Sequence, residues 1–388
     1  MEISTCVKYV GVNDHQVDLF EGQYKVPNGM SYNSYVILDE KIAVMDTVDG
    51  FFTEEWLNNV EQALSGKTPD YLVIQHMEPD HSASIPAFLK KYPKTTVVST
   101  AKGFQFMEQF FPEFFAGQGL PAEQRIVAAN DGVLELGQHS LHFVYAPMVH
   151  WPEVMMTYEA TEKILFAADG FGKFGALDVE EEWANEARRY YIGIVGKYGP
   201  QVQAVLKKAA GLDIQTICSL HGPVLKENLG FYLEKYDKWS SYQPEESGVV
   251  IAYASVYGNT RNAAEYLADV LQEKGQKTVL YDLARCDKAK AVADAFRYDR
   301  LVLAGITYNG DLFPCMRSFI EGLTERNYQN RKVAIIENGT WAPMAGKLIL
   351  GMFEKSKNLT FTETKVSIKS AMNAQNKEEI GKLAEELS

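Results

Sequence analysis

Tyr71-Leu72-Val73-Ile74-Gln75-His76-Met77-Glu78-Pro79-Asp80-His81 runs from an apolar, partly β-branched segment into a loop dense in acids and histidines. The first four residues predict a buried strand. The last six hold His76, Glu78, Asp80 and His81, all able to ligate a cation. Buried charges persist where they are paired or coordinate a metal, so a strand feeding such a loop predicts a metal site.

Three further ligand candidates also follow strand-like runs: His150 in Val149-His150-Trp151-Pro152, Asp169 in Ala167-Ala168-Asp169-Gly170, and His221 in Leu220-His221-Gly222-Pro223. Several imidazoles with three carboxylates can hold two divalent ions, one carboxylate bridging them. Imidazole and carboxylate ligation without thiolate suits iron, manganese or zinc. His15, His139 and His142 lack comparable neighbours and receive no role; a lone histidine is more often a hydrogen-bonded structural residue.

Outward from this loop, residues 35–38 and 42–46 predict a hairpin around Asp39-Glu40-Lys41, and 95–99, 141–145 and 163–167 predict further strands. Helical spacing covers 53–64, 84–92 and 101–111, and a longer stretch at 180–210 is broken by Gly199-Pro200. The sum is a layered α/β sandwich. The polar, Pro- and Gly-containing stretch 243–248 predicts a linker between a domain of residues 1–245 and one of 249–388. Beyond it, strand-like runs at 249–254, 278–283, 301–305, 332–336 and 365–368 alternate with helical segments, the pattern of a doubly wound parallel sheet.

The first of these runs enters Ser255-Val256-Tyr257-Gly258-Asn259-Thr260, after which helical residues follow. A hydroxyl- and glycine-containing loop at a helix N-terminus presents backbone N–H groups and the positive end of the helix dipole, which fits a phosphate. The loop lacks the G-x-x-x-x-G-K-[ST] of a nucleoside triphosphatase and the G-x-G-x-x-G of a dinucleotide site. Thr307-Tyr308-Asn309-Gly310 and Asn338-Gly339-Thr340-Trp341 end two further strands on the same edge, where ligands of such sheets bind. Tyr308 and Trp341 are candidates to touch an aromatic ring system.

The net charge of −13 argues against a nucleic-acid partner. Four scattered cysteines without a C-x-x-C pair argue against a disulfide framework and against a rubredoxin-type or cluster iron site. The N-terminus carries no signal-peptide pattern, and no apolar run approaches the roughly 20 residues of a membrane span. The expectation is a soluble cytoplasmic protein without membrane contact.

The order H-x-E-x-D-H, then His, Asp and His-Gly-Pro, resembles the metallo-β-lactamase fold, whose hydrolases use H-x-H-x-D-H. Glu78 stands where those have their second histidine. A carboxylate there makes the site harder and more anionic, favouring redox iron over hydrolytic zinc. The loop Ser255–Thr260 resembles the FMN phosphate loop of flavodoxins. Together, over almost the whole chain, these features resemble the flavodiiron proteins (A-type flavoproteins).

That resemblance implies an N-terminal metallo-β-lactamase-like αββα sandwich followed by a flavodoxin-like doubly wound parallel sheet that binds FMN. It implies one iron held by His76, Glu78 and His150, a second held by Asp80, His81 and His221, and Asp169 bridging them. It places Tyr198 beside the substrate pocket, in a catalytic role. The activity implied is reduction of O2 to water, of NO to N2O, or both, in a head-to-tail homodimer or a homotetramer. Since the chain stops at Ser388 without a rubredoxin module, the expected electron donor is a separate protein such as rubredoxin, or reduced F420. The competing reading is a zinc hydrolase with an accessory flavodoxin domain, against which Glu78 argues.

Overall fold

The computed structural model describes residues 3–116 and 120–388. Two compact units divide the chain: Met1–Tyr191 with Pro200–Tyr236, and Ile192–Gly199 with Asp237–Ser388.

The first unit is built on two sheets. One has six strands in the order Val7–Tyr9, Tyr35–Ile37, Ala43–Met45, Tyr71–Val73, Thr96–Ser99 and Arg125–Val127. The other has five, in the order Val133–Glu135, Ser140–Tyr145, Met155–Glu159, Ile164–Phe166 and Thr216–Cys218. Ile37, Met45, Val73 and Val98 of the first join Phe143, Met155, Phe166 and Cys218 of the second in one buried cluster, so the sheets pack face to face. Each large apolar side chain buried there contributes about 1.5–3 kcal/mol. Helices Thr53–Leu64, Ile85–Lys91 and Ala101–Phe110 follow strands of the first sheet, and Thr53–Leu64 packs against Tyr35–Ile37.

Strand direction sets where chemistry can gather. Ala43–Met45, Tyr71–Val73 and Thr96–Ser99 are mutually parallel. In the second sheet, Ser140–Tyr145 and Ile164–Phe166 both run antiparallel to Met155–Glu159, and Thr216–Cys218 runs parallel to Ile164–Phe166. The Met155 N–H donates to the Gln75 carbonyl at 3.1 Å, which brings the C-terminal ends of both strand sets to one edge of the sandwich.

The long helical stretch expected at 180–210 is interrupted earlier than Gly199-Pro200. Helix Trp183–Tyr190 passes into a π-helical turn at Tyr191–Val195 and a 3-10 turn at Gly196–Tyr198 before Gly199–Ala209. Such widened turns recur beside functional sites.

In the second unit, Thr278–Asp282, Glu246–Tyr253, Tyr298–Tyr308, Arg331–Asn338 and Leu359–Phe361 form a parallel sheet in strand order 2-1-3-4-5. The chain therefore reverses its direction of travel across the sheet next to the first strand, and the crevice there is a ligand site in sheets of this kind. Ala263, Ala264, Leu267 and Leu271 of helix Asn259–Glu273 and Ile380 and Leu383 of helix Ala374–Glu386 cover one face. Helices Lys288–Arg297, Pro314–Thr324 and Ala345–Met352 form a second layer.

The fifth strand comes in two pieces, Leu359–Phe361 and Val366–Ile368, both parallel to Arg331–Asn338. Between them the N–H groups of Glu363 and Thr364 donate to the Glu386 carboxylate at 2.8 and 2.9 Å, which takes them out of the ladder. Residues 246–248, read as linker, open the first strand, and Glu246 pairs with Lys277 and Arg297. Among the described residues no helix is long and apolar enough to cross a membrane.

Candidate functional site

The loop after strand Tyr71–Val73 is held from below. Asp46, fully buried, accepts from the Gln75 N–H at 2.7 Å and the Gln75 side-chain amide at 2.8 Å. The Thr47 hydroxyl and N–H both donate to the His81 carbonyl, at 2.8 and 2.9 Å. Pro79 opens the short helix Pro79–Ser82, where its missing N–H costs nothing. These anchors fix the directions of His76, Glu78, Asp80 and His81.

All seven expected ligands meet at this edge, in two groups. His76, Glu78, His150 and Asp169 bring one ligand atom each within 4.8 Å of one another, and so do Asp80, His81 and His221. In the first group, His76 Nε2 lies 3.2 Å from Glu78 Oε2 and 3.3 Å from Asp169 Oδ2, and His150 Nε2 lies 3.1 and 3.0 Å from the same oxygens. In the second, Asp80 Oδ2 lies 3.2 Å from His81 Nε2 and 3.3 Å from His221 Nε2, and the two imidazole nitrogens are 3.1 Å apart. Asp169 turns its other oxygen, Oδ1, to this group, 3.2 Å from His81 Nε2. One carboxylate thus faces both.

The donor set fits two cations. Separations of this size are the edges of a coordination shell with bonds of about 2.0–2.2 Å. Both Asp80 oxygens and Asp169 Oδ1 are buried without a hydrogen-bond donor among the described residues, as unfilled ligand atoms would be. Two of the rings are aimed by outside partners: Glu153 Oε1 takes His76 Nδ1 at 2.7 Å, and the Ser31 carbonyl takes His221 Nδ1 at 2.7 Å. Each leaves Nε2 for a metal, the usual outer arrangement of a ligating histidine. His81 Nδ1 is buried without such a partner among the described residues, so no carbonyl or carboxylate aims that ring from behind.

Burial opposes charge on His76, yet Asp169, Glu153 and Glu78 hold it protonated well above the ordinary histidine range. His81 is raised against burial by Asp80 and Asp169, and His150, also against burial, rises to about 9 through Asp169 and Glu78. Conversely, Glu78 and Asp169 are depressed despite burial, Glu78 chiefly by His150 and His76, Asp169 chiefly by His76. A raised folded pKa stabilises the native state fully below the unfolded value and loses that contribution as pH climbs through the folded one. Metal-free protein should therefore lose thermal stability between about pH 6.5 and about 9, the window of His150. Metal-loaded protein, whose cations have displaced these protons, should show no such fall when midpoints are compared across that window.

Aromatic rings enclose the cluster. His221 is met edge-on by Phe20 at 5.4 Å and obliquely by Tyr190 at 5.4 Å, with Tyr32 at 6.0 Å. Trp151 stands edge-on to His76 at 5.3 Å. Tyr190 is thus a tyrosine set directly against the cluster. Tyr198 lies in the turn Gly196–Tyr198, past the π-helical turn, in the segment that belongs to the second unit. Burial, then Asp169, Asp80 and Glu78, keep the Tyr190 hydroxyl protonated. Glu21, in the turn between Leu19–Phe20 and Tyr24–Lys25, also senses the cluster. Desolvation and then Glu78 raise its carboxyl, a push that its exposure to water partly screens. Glu153, Ser31, Tyr190 and Glu21 went unnoticed in the sequence; only Glu153, three residues past His150, lies near a recognised motif.

The second unit holds a cavity of about 410 Å³ at its carboxyl edge. Ser255, Val256, Tyr257, Asn259, Thr260, Thr307, Tyr308, Asn309, Gly310, Asn338, Gly339, Thr340 and Trp341 line it, joined by Ile306, Ala342, Met344 and Ser370. Gly258, the remaining expected residue, is the N-cap of helix Asn259–Glu273. It has φ +92° and no side chain to cap the helix, so the first N–H groups of that helix are left for an anion. The Ser255 hydroxyl accepts from the Gly258 N–H at 3.1 Å and shapes the turn. Asn338 and Thr307 serve the frame rather than the opening. Asn338 bonds the Ser370 carbonyl and Thr260, and the Thr307 hydroxyl caps helix Ala345–Met352 through the Met344 and Ala345 N–H groups. Tyr257 is 92% exposed and Trp341 82%, two bare aromatic rings on the cavity rim. An anion-ready helix end beneath aromatic rims fits a phosphorylated ring compound.

Residues 30–222 match the family described as ODP family beta lactamase, and residues 250–363 match a flavodoxin domain family. The chain is 28% identical over 355 residues to an anaerobic nitric oxide reductase flavorubredoxin of Vibrio vulnificus, covering 88% of this chain and 70% of that one. The flavodiiron protein of Giardia intestinalis superposes with a TM-score of 0.92 at 26% identity, covering 100% of this chain and 95% of that one. The rubredoxin oxygen:oxidoreductase of Desulfovibrio gigas has the same fold, with a TM-score of 0.91 at 24% identity over 99% of this chain and 96% of that one.

Proposed function

This chain belongs to the flavodiiron family of oxidoreductases, and from that premise we propose that it passes electrons through FMN to two iron ions and reduces O2 to water, NO to N2O, or both. The observation that carries the reading is the shared carboxylate. Asp169 faces the His76, Glu78 and His150 group with one oxygen and the Asp80, His81 and His221 group with the other. Glu78 adds a second anion to the first group, which suits iron that cycles between oxidation states better than hydrolytic zinc.

When bound, FMN supplies electron transfer in single steps and the iron pair a reducing site for a diatomic gas. The chain's own residues prepare that site. Glu153 and the Ser31 carbonyl aim His76 and His221. Phe20, Tyr32, Tyr190 and Trp151 wall the cluster with rings, which suits a small neutral gas and keeps bulk water away. The neutral Tyr190 hydroxyl is a proton-bearing group on that wall. The helix end at Gly258 would hold the flavin phosphate, with Tyr257, Tyr308 and Trp341 available to flank its ring. Because a valine side chain strains a positive φ by about 1–2 kcal/mol, Gly258→Val should weaken flavin retention about tenfold. Flavin-to-protein absorbance after gel filtration reads this, with iron content unchanged.

The electron donor is a rubredoxin-type protein, as the names of the relatives suggest, and reduced F420 is the other candidate. The protein works in the cytoplasm, a compartment that suits its free cysteines. It assembles as a head-to-tail homodimer or tetramer in which the flavin of one protomer serves the irons of its partner. The deciding experiment combines metal analysis with electrode turnover on O2 and on NO from one reduced donor. Two irons per chain and gas-dependent reoxidation above the free-flavin rate support the reading. Stoichiometric zinc with hydrolytic activity overturns it.

A further inference from the structure

A second set of ligand atoms lies at the opposite end of the same sandwich. Tyr35–Ile37 runs antiparallel to Ala43–Met45, with Tyr35 beside Met45 and Ile37 beside Ala43. Asp46, just past Met45, supports the loop of iron ligands, so Asp39, two residues past Ile37, is at the far end. There the segment Ser4–Cys6 meets two turns of the other sheet. Cys6, His139 and Glu162 bring one ligand atom each within 4.8 Å of one another.

Each of the three rests on a fixed support. His139 is 4% exposed. Asp39 accepts its Nδ1–H at 2.8 Å and its backbone N–H at 2.7 Å. Desolvation would raise the Asp39 carboxyl, but the His139 ring and the backbone N–H groups of His139 and Glu40 hold it below the ordinary range. An anionic Asp39 keeps the proton on Nδ1 and leaves the Nε2 lone pair free, and no described residue bonds Nε2. A carboxylate behind a buried imidazole is the arrangement that orients histidines toward metals. Glu162 accepts the Ser4 hydroxyl at 2.5 Å. Its turn is fixed by buried Glu159, which accepts the Thr161 and Glu162 N–H groups at 2.7 and 2.6 Å, and by the Thr161 hydroxyl on the Gln138 carbonyl at 2.8 Å. Cys6 donates its N–H to the Ser4 hydroxyl at 3.2 Å and accepts from the Leu38 N–H at 2.9 Å.

One thiolate, one imidazole and one carboxylate match a zinc shell with its fourth position open to water. Harder cations prefer oxygen alone, and the irons of the main centre have no sulfur ligand. We propose that Cys6, His139 and Glu162 bind one zinc ion, distinct from the two-metal centre, that pins the start of the chain to the turns at 136–139 and 159–163. The thiol proton leaves to solvent on binding.

Cobalt(II) tests this, because only thiolate ligation gives a sulfur-to-cobalt charge-transfer band. It is added anaerobically to the flavin- and iron-loaded protein with its thiols reduced, and read as a difference spectrum. One equivalent should develop the band in the wild type and none in Cys6→Ser. Asp39→Asn should bind at least about tenfold more weakly, since it weakens the histidine's support while leaving all three ligand side chains in place. Zinc should raise the thermal midpoint of the wild type but not of Cys6→Ser. Unchanged iron and flavin content shows that each variant is folded. A wild type without the band, or a band that His139→Ala leaves at full strength, overturns the proposal.

Discussion

Asp169→Ala should strip both irons and reduce gas turnover by well over a hundredfold, while the flavin is still reduced by the donor at its normal rate. Asp169 is 1% exposed and is the one group that faces both halves of the centre, 3.0 Å from His150, 3.3 Å from His76 and 3.2 Å from His81. Its removal leaves four imidazoles around two carboxylates, with two dications too close together to tolerate the loss of the anion between them. Disturbing even the outer partners of a metal ligand typically costs 10–100-fold in affinity, so the loss of a bridging ligand exceeds that. Asp169→Asn keeps the shape and removes the charge, and should fail nearly as badly because its amide N–H cannot ligate. Iron per chain and stopped-flow flavin reduction separate the two functions. Two irons retained in Asp169→Ala would remove this residue from the centre.

The second large effect comes from a residue that touches no metal in the proposed centre. Glu153 is 3% exposed and accepts both His76 Nδ1–H and the Met77 N–H, at 2.7 and 2.9 Å, on the same oxygen. Glu153→Ala frees the ring to rotate and leaves a buried N–H unpaired, and should weaken iron binding about 10–100-fold. Glu153→Gln keeps an acceptor oxygen and removes only the charge, so its loss should be smaller. Iron retention against a competing chelator should rank wild type, then Gln, then Ala. A Glu153→Ala protein that holds iron as tightly as the wild type would show that packing alone orients His76.

The contrast between these two residues explains what the sequence could disclose. Ligands announce themselves when strand ends carry them in an ordered series, as His76 through His81 do. Orienting partners are recruited from wherever the fold brings a carbonyl or carboxylate, as Ser31 is to His221, 190 residues away. His139 was passed over for the same reason: its partner Asp39 lies 100 residues off. The resemblance named Tyr198, whereas nothing in the sequence marks Tyr190, which closes helix Trp183–Tyr190 just before the π-helical turn at Tyr191–Val195. The second unit was easier to read. Its strands are long, apolar and separated by helices, and its cavity residues occupy three consecutive strand ends. Two features escaped: residues 246–248 open the first strand instead of linking to it, and Leu359–Phe361 is a short half-strand whose break depends on a carboxylate from the last helix.

That carboxylate gives the final helix a second role. Through Glu386 it holds the backbone between the two halves of the outermost strand, while Ile380 and Leu383 lie in the core beneath. Fraying of its last turn would release the Glu363 and Thr364 amides first, before any ladder bond of the central strands opens. The edge of this sheet is thus latched by helix Ala374–Glu386, and amide exchange at those two positions reports the latch rather than the sheet.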